Sequence, residues 1–470
     1  MRALMDVRPT PEQLALFSRV PTGVSVIRGA AGSGKTTTAL LKLRASVGFH
    51  LRRVRRQQTR DPLKVLVLTF NRTLRGYIAE LAAQQFEEGD QITLTVDTFS
   101  RWGKELVGDP KIIDLDSCRV KLRELAAALD LPREFAVDEA LYVMGRFLPE
   151  NFTDYLTARR DGRGTMPRML QPARMELLER VIFPFMEYKN KNNLMDWNDI
   201  AVNLAVNNYE RNDIVILDET QDFSNNEIRA VLNQISDEYT VTFVLDSAQR
   251  IYDKKFIWSE VGLNIRPENS HRLISNYRNT REIAQFAAAL LEGIVVDDDG
   301  SLPDFSSANR IGPKPNILIG RYPGQIDFAV NFIRENVDLN SESVAFLHPK
   351  GYGWFSYTKR VLQENGMDYV SIERKVDWPG GDENIALSTL HSAKGLEFDH
   401  VFILGLDEET LADYTADNED DIKEQEIAAR RLVAMGVGRA RKTVTIGYRP
   451  DDAPRLAEFF NPAFCTRVAV

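Results

Sequence analysis

The residues best placed to do chemistry stand near the start of the chain. Gly29-Ala30-Ala31-Gly32-Ser33-Gly34-Lys35-Thr36 fits G-x-x-x-x-G-K-[ST] at every fixed position, and Thr37 follows. In such a loop, backbone N–H groups at a helix start wrap phosphates, Lys35 reaches the β and γ oxygens, and the Thr36 hydroxyl ligates Mg²⁺. The stretch therefore reads as a cradle for a nucleoside triphosphate. A second constellation, VILDETQDF (215–223), puts Asp218 and Glu219 at the end of an apolar run. Asp218 would hold the outer shell of the metal, and Glu219 would orient the attacking water or take its proton. Hydrolysis needs that role; transfer to an organic acceptor does not.

The elements around these residues follow from patterning. GVSVI (23–27) before the glycine loop suits a buried parallel strand, and TTTALLKLRAS after it has helical spacing. Further apolar runs, KVLVLTF, DIVILDE, VTFVLD, PNILIG, SVAFLH, IALSTLH, HVFILGL and TVTIGY, alternate with helical stretches. That alternation predicts an α/β fold of parallel sheets covered by helices. The runs fall into two groups, with RPENSHR (266–272) as the joint. Residues 102–200 have helical periodicity and almost no strand-like run, which predicts an α-helical insertion in the first sheet domain. The expected division is 1–104 with 196–268 as the first core, 105–195 as the insertion, and 269–470 as the second core.

Composition narrows the function classes. Of 470 residues, 43% are hydrophobic and 27% charged, ordinary for a globular chain. Cys118 and Cys465 are too few for a disulfide framework or a zinc site, and no apolar run approaches membrane-spanning length, so a cytoplasmic protein without a membrane partner is expected. The formal net charge of -9 requires any nucleic-acid contact to come from a local basic groove. LRRVRRQQTR (51–60) and RRDGRGTMPR (159–168) are basic runs that contact phosphate or form solvated faces. The acidic stretch 406–426 reads as a solvated connector.

Downstream, LDSAQRIYD (245–253), LISNYRNTREI (273–283), LSTLHSAKGLEFDHVFI (387–403) and RRLVAMGVGRARK (430–442) follow in order. Together with TPEQ (10–13), LTFNRTL (68–74) and TVDTFSRWG (95–103), this series resembles the UvrD/Rep-like superfamily 1 helicases. The resemblance implies two RecA-like parallel-sheet cores in tandem and an ATP-driven 3′ to 5′ motor on single-stranded DNA. It also implies roles for residues. Gln13 would read the adenine edge, Tyr277 would stack on the base, and Glu397 would lie near the nucleotide. Gln249 would sense the γ-phosphate, while Arg278 and Arg439 would reach across the cleft as arginine fingers. Phe70, Asn71, Thr98, Phe99, Tyr252 and Trp258 would line the DNA strand. His391 either touches DNA or hydrogen-bonds within its motif.

Several positions depart from that family. Leu245 stands where Gly is usual, Thr37 where Arg often follows, and Ala434 and Gly438 where Tyr and Thr are common. The large accessory insertion called 2B is reduced to a short connector before TLHSAKGLEF, and with about thirty residues past the last motif no nuclease domain is expected. An alternative reading is therefore an ATP-gated remodelling or motor subunit of a DNA repair or defence complex, with a nuclease or repair factor as protein partner.

Overall fold

In a computed structural model, residues 13, 16, 22–29, 34–57, 61–69, 72–83, 85, 91–160, 168–246, 258–273, 279–294, 308, 310–372, 381, 383–393, 396–411 and 419–470 are described. The first group of strands is β1 (Gly23–Gly29), β2 (Leu63–Thr69), β3 (Ile92–Thr98), β4 (Asn212–Leu217), β5 (Ile235–Asp246) and β6 (Ser270–Leu273). They form one sheet in the order β3-β2-β4-β5-β1-β6, parallel at every pairing. The second group is β7 (Asn316–Ile319), β8 (Val344–His348), β9 (Val370–Ser371), β10 (Ile385–Thr389), β11 (Phe398–Leu406), β12 (Ala440–Tyr448) and β13 (Thr466–Ala469). Its order is β13-β7-β12-β11-β8-β10-β9, again all parallel. Parallel strands are covered on both faces, which is why central runs such as FDHVFILGL are apolar nearly throughout and buried along their length.

The strands that apolar runs do not announce lie at edges or are short. β3 alternates half-buried and exposed positions before ending buried, as an edge strand facing water on one side does. β6 takes up SHRL from the expected joint and pairs with β1, so the change of sheet falls after Leu273. Only Leu273 of that strand is buried, too little apolar signal to mark it.

Between β3 and β4 the described residues are largely helical, and their buried side chains form a cluster of their own around Leu122, Val143, Tyr155, Leu178 and Phe185. A π-turn at Leu178–Ile182 interrupts the run from Gln171 to Lys191 just before Pro184, whose missing N–H and ring cannot continue regular α pairing. This helical unit is joined to the first sheet through the helix Asn225–Leu232. Asn226 Nδ2 donates to the carbonyls of Met144 (2.8 Å) and Phe147 (2.9 Å), and Arg229 donates to that of Arg146 (2.6 Å).

Buried charge corrects one expectation for the basic runs. Arg160, inside RRDGRGTMPR, turns inward and donates to Glu139 at 2.7 and 2.8 Å, where Tyr155 also donates at 2.6 Å. Glu139 is fully buried, so this arginine neutralises a core carboxylate and is not a phosphate contact. In LRRVRRQQTR, Arg52 and Arg53 lie near the far end of the helix Lys35–Gln57, which at 23 residues runs about 34 Å from the glycine loop. There Arg53 pairs with Glu238. Among the described residues no helix is long and apolar enough to cross a membrane.

The same helix carries Lys42, whose ammonium is buried and donates to Ser25 Oγ at 2.5 Å. Burial pulls its pKa down from 10.5 to about 8. Folding therefore carries a penalty that is full below pH 8 and vanishes as pH rises through 10.5. Ser25 keeps Thr242 Oγ1 (3.3 Å) as a partner without the lysine. Lys42→Met is expected to stabilise the chain by about 1–3 kcal/mol at pH 7, with the gain shrinking between pH 8 and 10.5. Denaturant unfolding of both proteins across that range checks it; a gain independent of pH would exclude the ammonium as its source.

Candidate functional site

The two sequence constellations meet at the carboxyl ends of β1 and β4, where ligands bind in open parallel sheets. Gly29 closes β1, and the helix Lys35–Gln57 begins with Lys35, Thr36 and Thr37 in its first turn. Thr36 Oγ1 lies 3.0 and 3.1 Å from the two carboxylate oxygens of Asp218, to which it donates. Asp218 follows β4 directly, and its N–H donates to the Leu68 carbonyl of β2 at 2.8 Å, so the sheet itself fixes the carboxylate.

Burial pushes the Asp218 pKa up to about 7, the neighbouring Glu219 adds to the rise, and Thr36 and Lys35 oppose it. Two adjacent buried carboxylates beside a hydroxyl make a hard, oxygen-only, electronegative corner. That donor set fits Mg²⁺, which prefers carboxylate, hydroxyl and phosphate oxygens.

Glu219 holds a left-handed backbone conformation, φ 53° and ψ 43°, unusual for a residue with a side chain. The short turn Thr220–Asp222 secures it: Thr220 Oγ1 donates to the Leu217 carbonyl at 2.8 Å, and the Asp222 N–H to the Glu219 carbonyl at 2.9 Å. Gln221 Nε2 donates to the Glu219 carboxylate. Spacing alone assigns Gln221 no role; its one signal is an amide two residues beyond the acid within DETQD.

Gln13 is buried, and its Nε2 donates to the Gly34 carbonyl at 3.1 Å, which ties the segment before β1 to the glycine loop. Thr38 donates to the same carbonyl through its N–H (2.9 Å) and Oγ1 (2.7 Å). Gly34 has φ +74°, and a Cβ there would collide with Gln13 Nε2. In the second half, Arg439 is buried just past the helix Glu419–Val437, and its carbonyl accepts from the Phe398 N–H at 2.8 Å, directly beside half-buried Glu397. His391 is exposed in the turn after β10, where the Ser392 N–H donates to Thr389 Oγ1 at 3.0 Å.

The expected strand-lining residues divide. Thr98 caps the helix Phe99–Val107, accepting from the Arg101 N–H at 3.4 Å. Phe99 is 3% exposed, its ring packed edge-on against Trp102 and Phe223, in place of the open stacking face expected from its motif. The cause is amphipathicity: it is the first inward position of a helix that covers the sheet. Trp258 is half-buried against Phe243 at 5.0 Å. Ala30, Ala31, Gly32, Ser33, Phe70, Asn71, Gln249, Tyr252, Tyr277 and Arg278 lie outside the described residues.

Comparison with known proteins adds an independent finding. Residues 12–255, just over half of the chain, match the family described as AAA domain, and residues 360–450 match the UvrD-like helicase C-terminal domain. ATP-dependent DNA helicase Rep of Buchnera aphidicola is 45% identical over 78 residues, 16% of this chain and 11% of that protein. Rep of Escherichia coli is 40% identical over 89 residues, 19% of this chain and 11% of that protein. ATP-dependent DNA helicase PcrA of Bacillus subtilis is 39% identical over 75 residues, 16% of this chain and 10% of that protein. The alignments thus span about a tenth of these relatives' length.

The geometry at Gly34 generates a test. Gly34→Ala is expected to cost about 1–2 kcal/mol for the left-handed backbone, plus about 0.5–1.5 kcal/mol for the Gln13 hydrogen bond that the new methyl displaces. In a Gln13→Ala background only the first cost remains. Denaturant unfolding of the four proteins measures the difference, and equal losses in both backgrounds would detach Gln13 from the loop.

Proposed function

Since the chain belongs to the UvrD/Rep-like superfamily 1 helicases, we propose that it hydrolyses ATP between two RecA-like cores to move 3′ to 5′ along single-stranded DNA. The observation that carries this reading is the contact of Thr36 with both oxygens of Asp218, with Glu219 held beside it by Gln221.

In this reading Lys35 and the glycine loop bind the phosphates. Thr36 and Asp218 hold Mg²⁺, which when bound offsets charge on the phosphate oxygens. Glu219 accepts a proton from the attacking water, and Gln221 keeps its carboxylate aimed. Gln13 and Tyr277 hold the base, and Glu397 lies close to the nucleotide. Arg278 and Arg439 come from the second core and spread positive charge over the γ-phosphate as it leaves. Gln249 reports the γ-phosphate to the strand-binding side, where Phe70, Asn71, Tyr252, Trp258 and His391 contact DNA. ATP draws the cores together, and hydrolysis releases them, so closure becomes motion along the strand.

Lys35→Ala is expected to weaken nucleotide binding, while Glu219→Gln retains ATP without turning it over. Arg439→Ala should bind ATP and lose about three to five orders of magnitude in turnover. Equilibrium binding of a fluorescent ATP analogue beside steady-state hydrolysis separates the three; loss of binding in Glu219→Gln would contradict its assigned role.

The connection between β9 and β10 comprises only residues 372–384, where the family carries its 2B accessory insertion. Duplex engagement ahead of the motor is attributed to accessory domains, so the isolated chain is expected to translocate on single strands and unwind weakly. Single-turnover displacement of streptavidin from a single strand, beside unwinding of a 3′-tailed duplex, tests this. Processive unwinding by the monomer would sink the expectation, and no stimulation of hydrolysis by oligo-dT would favour a remodelling subunit.

A further inference from the structure

Arg439 sits in the turn between the helix Glu419–Val437 and β12, and the structure holds that turn from three directions. The Arg439 N–H donates to the Gly436 carbonyl at 3.0 Å, and its own carbonyl accepts from the Phe398 N–H at 2.8 Å. The third hold comes from far away in the chain. Asn279, 3% exposed, donates through Nδ2 to the carbonyls of Gly438 (3.2 Å) and Ala440 (2.6 Å), the two residues that flank Arg439.

That arrangement is chemically selective. The two acceptors flank one residue, and a single amide nitrogen with two N–H bonds serves both. A serine hydroxyl has one proton to give, an aspartate has none and would face two carbonyls with negative charge, and alanine reaches neither. Fixing the carbonyls on both sides of a residue restricts the rotation of its backbone, and with it the direction in which the side chain leaves. Directly after Asn279, Thr280 caps the helix Arg281–Leu290 by accepting from the Ile283 N–H, so the amide is mounted on a rigid element.

We propose that Asn279 is a positioning residue for ATP hydrolysis, holding the backbone on both sides of Arg439 so that its guanidinium is aimed at the transferring phosphate. The proposal rests on the reading of Arg439 as a finger, and it adds the residue that sets its aim. Small displacements of a charge-stabilising group cost rate more than binding, because the charge it meets develops in the transition state.

The test uses the full chain with oligo-dT and compares Asn279→Ala, Asn279→Ser and Asn279→Asp, each alone and combined with Arg439→Ala. Expected is a fall in kcat of about 10- to 100-fold for Asn279→Ala and Asn279→Asp, with Asn279→Ser recovering part of it. KM for ATP and affinity for oligo-dT should stay near wild type at a temperature where circular dichroism shows every variant folded. In the Arg439→Ala background, single-turnover hydrolysis should fall no further when Asn279 is replaced. Wild-type kcat in Asn279→Ala, or an undiminished loss on top of Arg439→Ala, would overturn the proposal while leaving the finger in place. Normal turnover by Arg439→Ala alone would remove the finger reading, and the proposal with it.

Discussion

The contact between Thr36 and Asp218 is the constraint on which the first half of the molecule depends. Its two residues are 182 positions apart, and their 3.0 Å approach exists only because β1 and β4 are parallel, lie on either side of β5, and end at the same edge. A parallel sheet puts every strand's carboxyl end on one side, so a glycine loop after one strand and an acidic pair after another face the same space. Shifting either strand by one residue would exchange its side chains between the two covered faces and move the oxygens apart. Burial of β1, β4 and β5 therefore supports the site as well as the fold.

Charge inside the protein is managed differently according to what it supports. In the helical unit between β3 and β4, Glu139 is matched by Arg160 and Tyr155, and Lys189 by Asp196 and Asp199 at 2.7 and 2.6 Å. The first set neutralises itself, whereas the second sets one cation against two carboxylates, where burial and then the charge of Asp196 raise the Asp199 pKa. At the carboxyl edge of the first sheet, by contrast, Asp218 and Glu219 stand together, and the rise in the Asp218 pKa registers burial first and their repulsion second. Lys35 lies close enough to this corner to oppose that rise, as does the Thr36 hydroxyl.

The second half supplies a mount. Arg439 and Glu397 stand in adjoining backbone segments because the Phe398 N–H bonds the Arg439 carbonyl, and Asn279 straps the same turn through the carbonyls of Gly438 and Ala440. Three separate stretches of the chain thus share one small volume. The strap grips the backbone on both sides of Arg439, so it fixes the base of a charged side chain.

Much of this is legible in the residues alone. The glycine loop, the acidic pair, the α/β class and the central strands of both sheets follow from local spacing and apolar runs, because phosphate binding and burial on two faces each demand a short, contiguous pattern. The family motifs add order along the chain. What spacing could not carry were facts of side-chain direction and edge position. Phe99 lies in a motif that suggests a stacking face, yet helix amphipathicity turns it into the core. Arg160 looks like part of a basic surface run, yet it answers Glu139, 21 residues away. β6 carries one buried apolar residue and is recognisable only by its pairing with β1. The sequence by itself determined which chemistry is present, since that depends on residue types at short range. Tertiary structure alone decided which side chains reach one another, since contacts such as Gln13 with Gly34 or Asn279 with Gly438 and Ala440 arise from packing between distant segments.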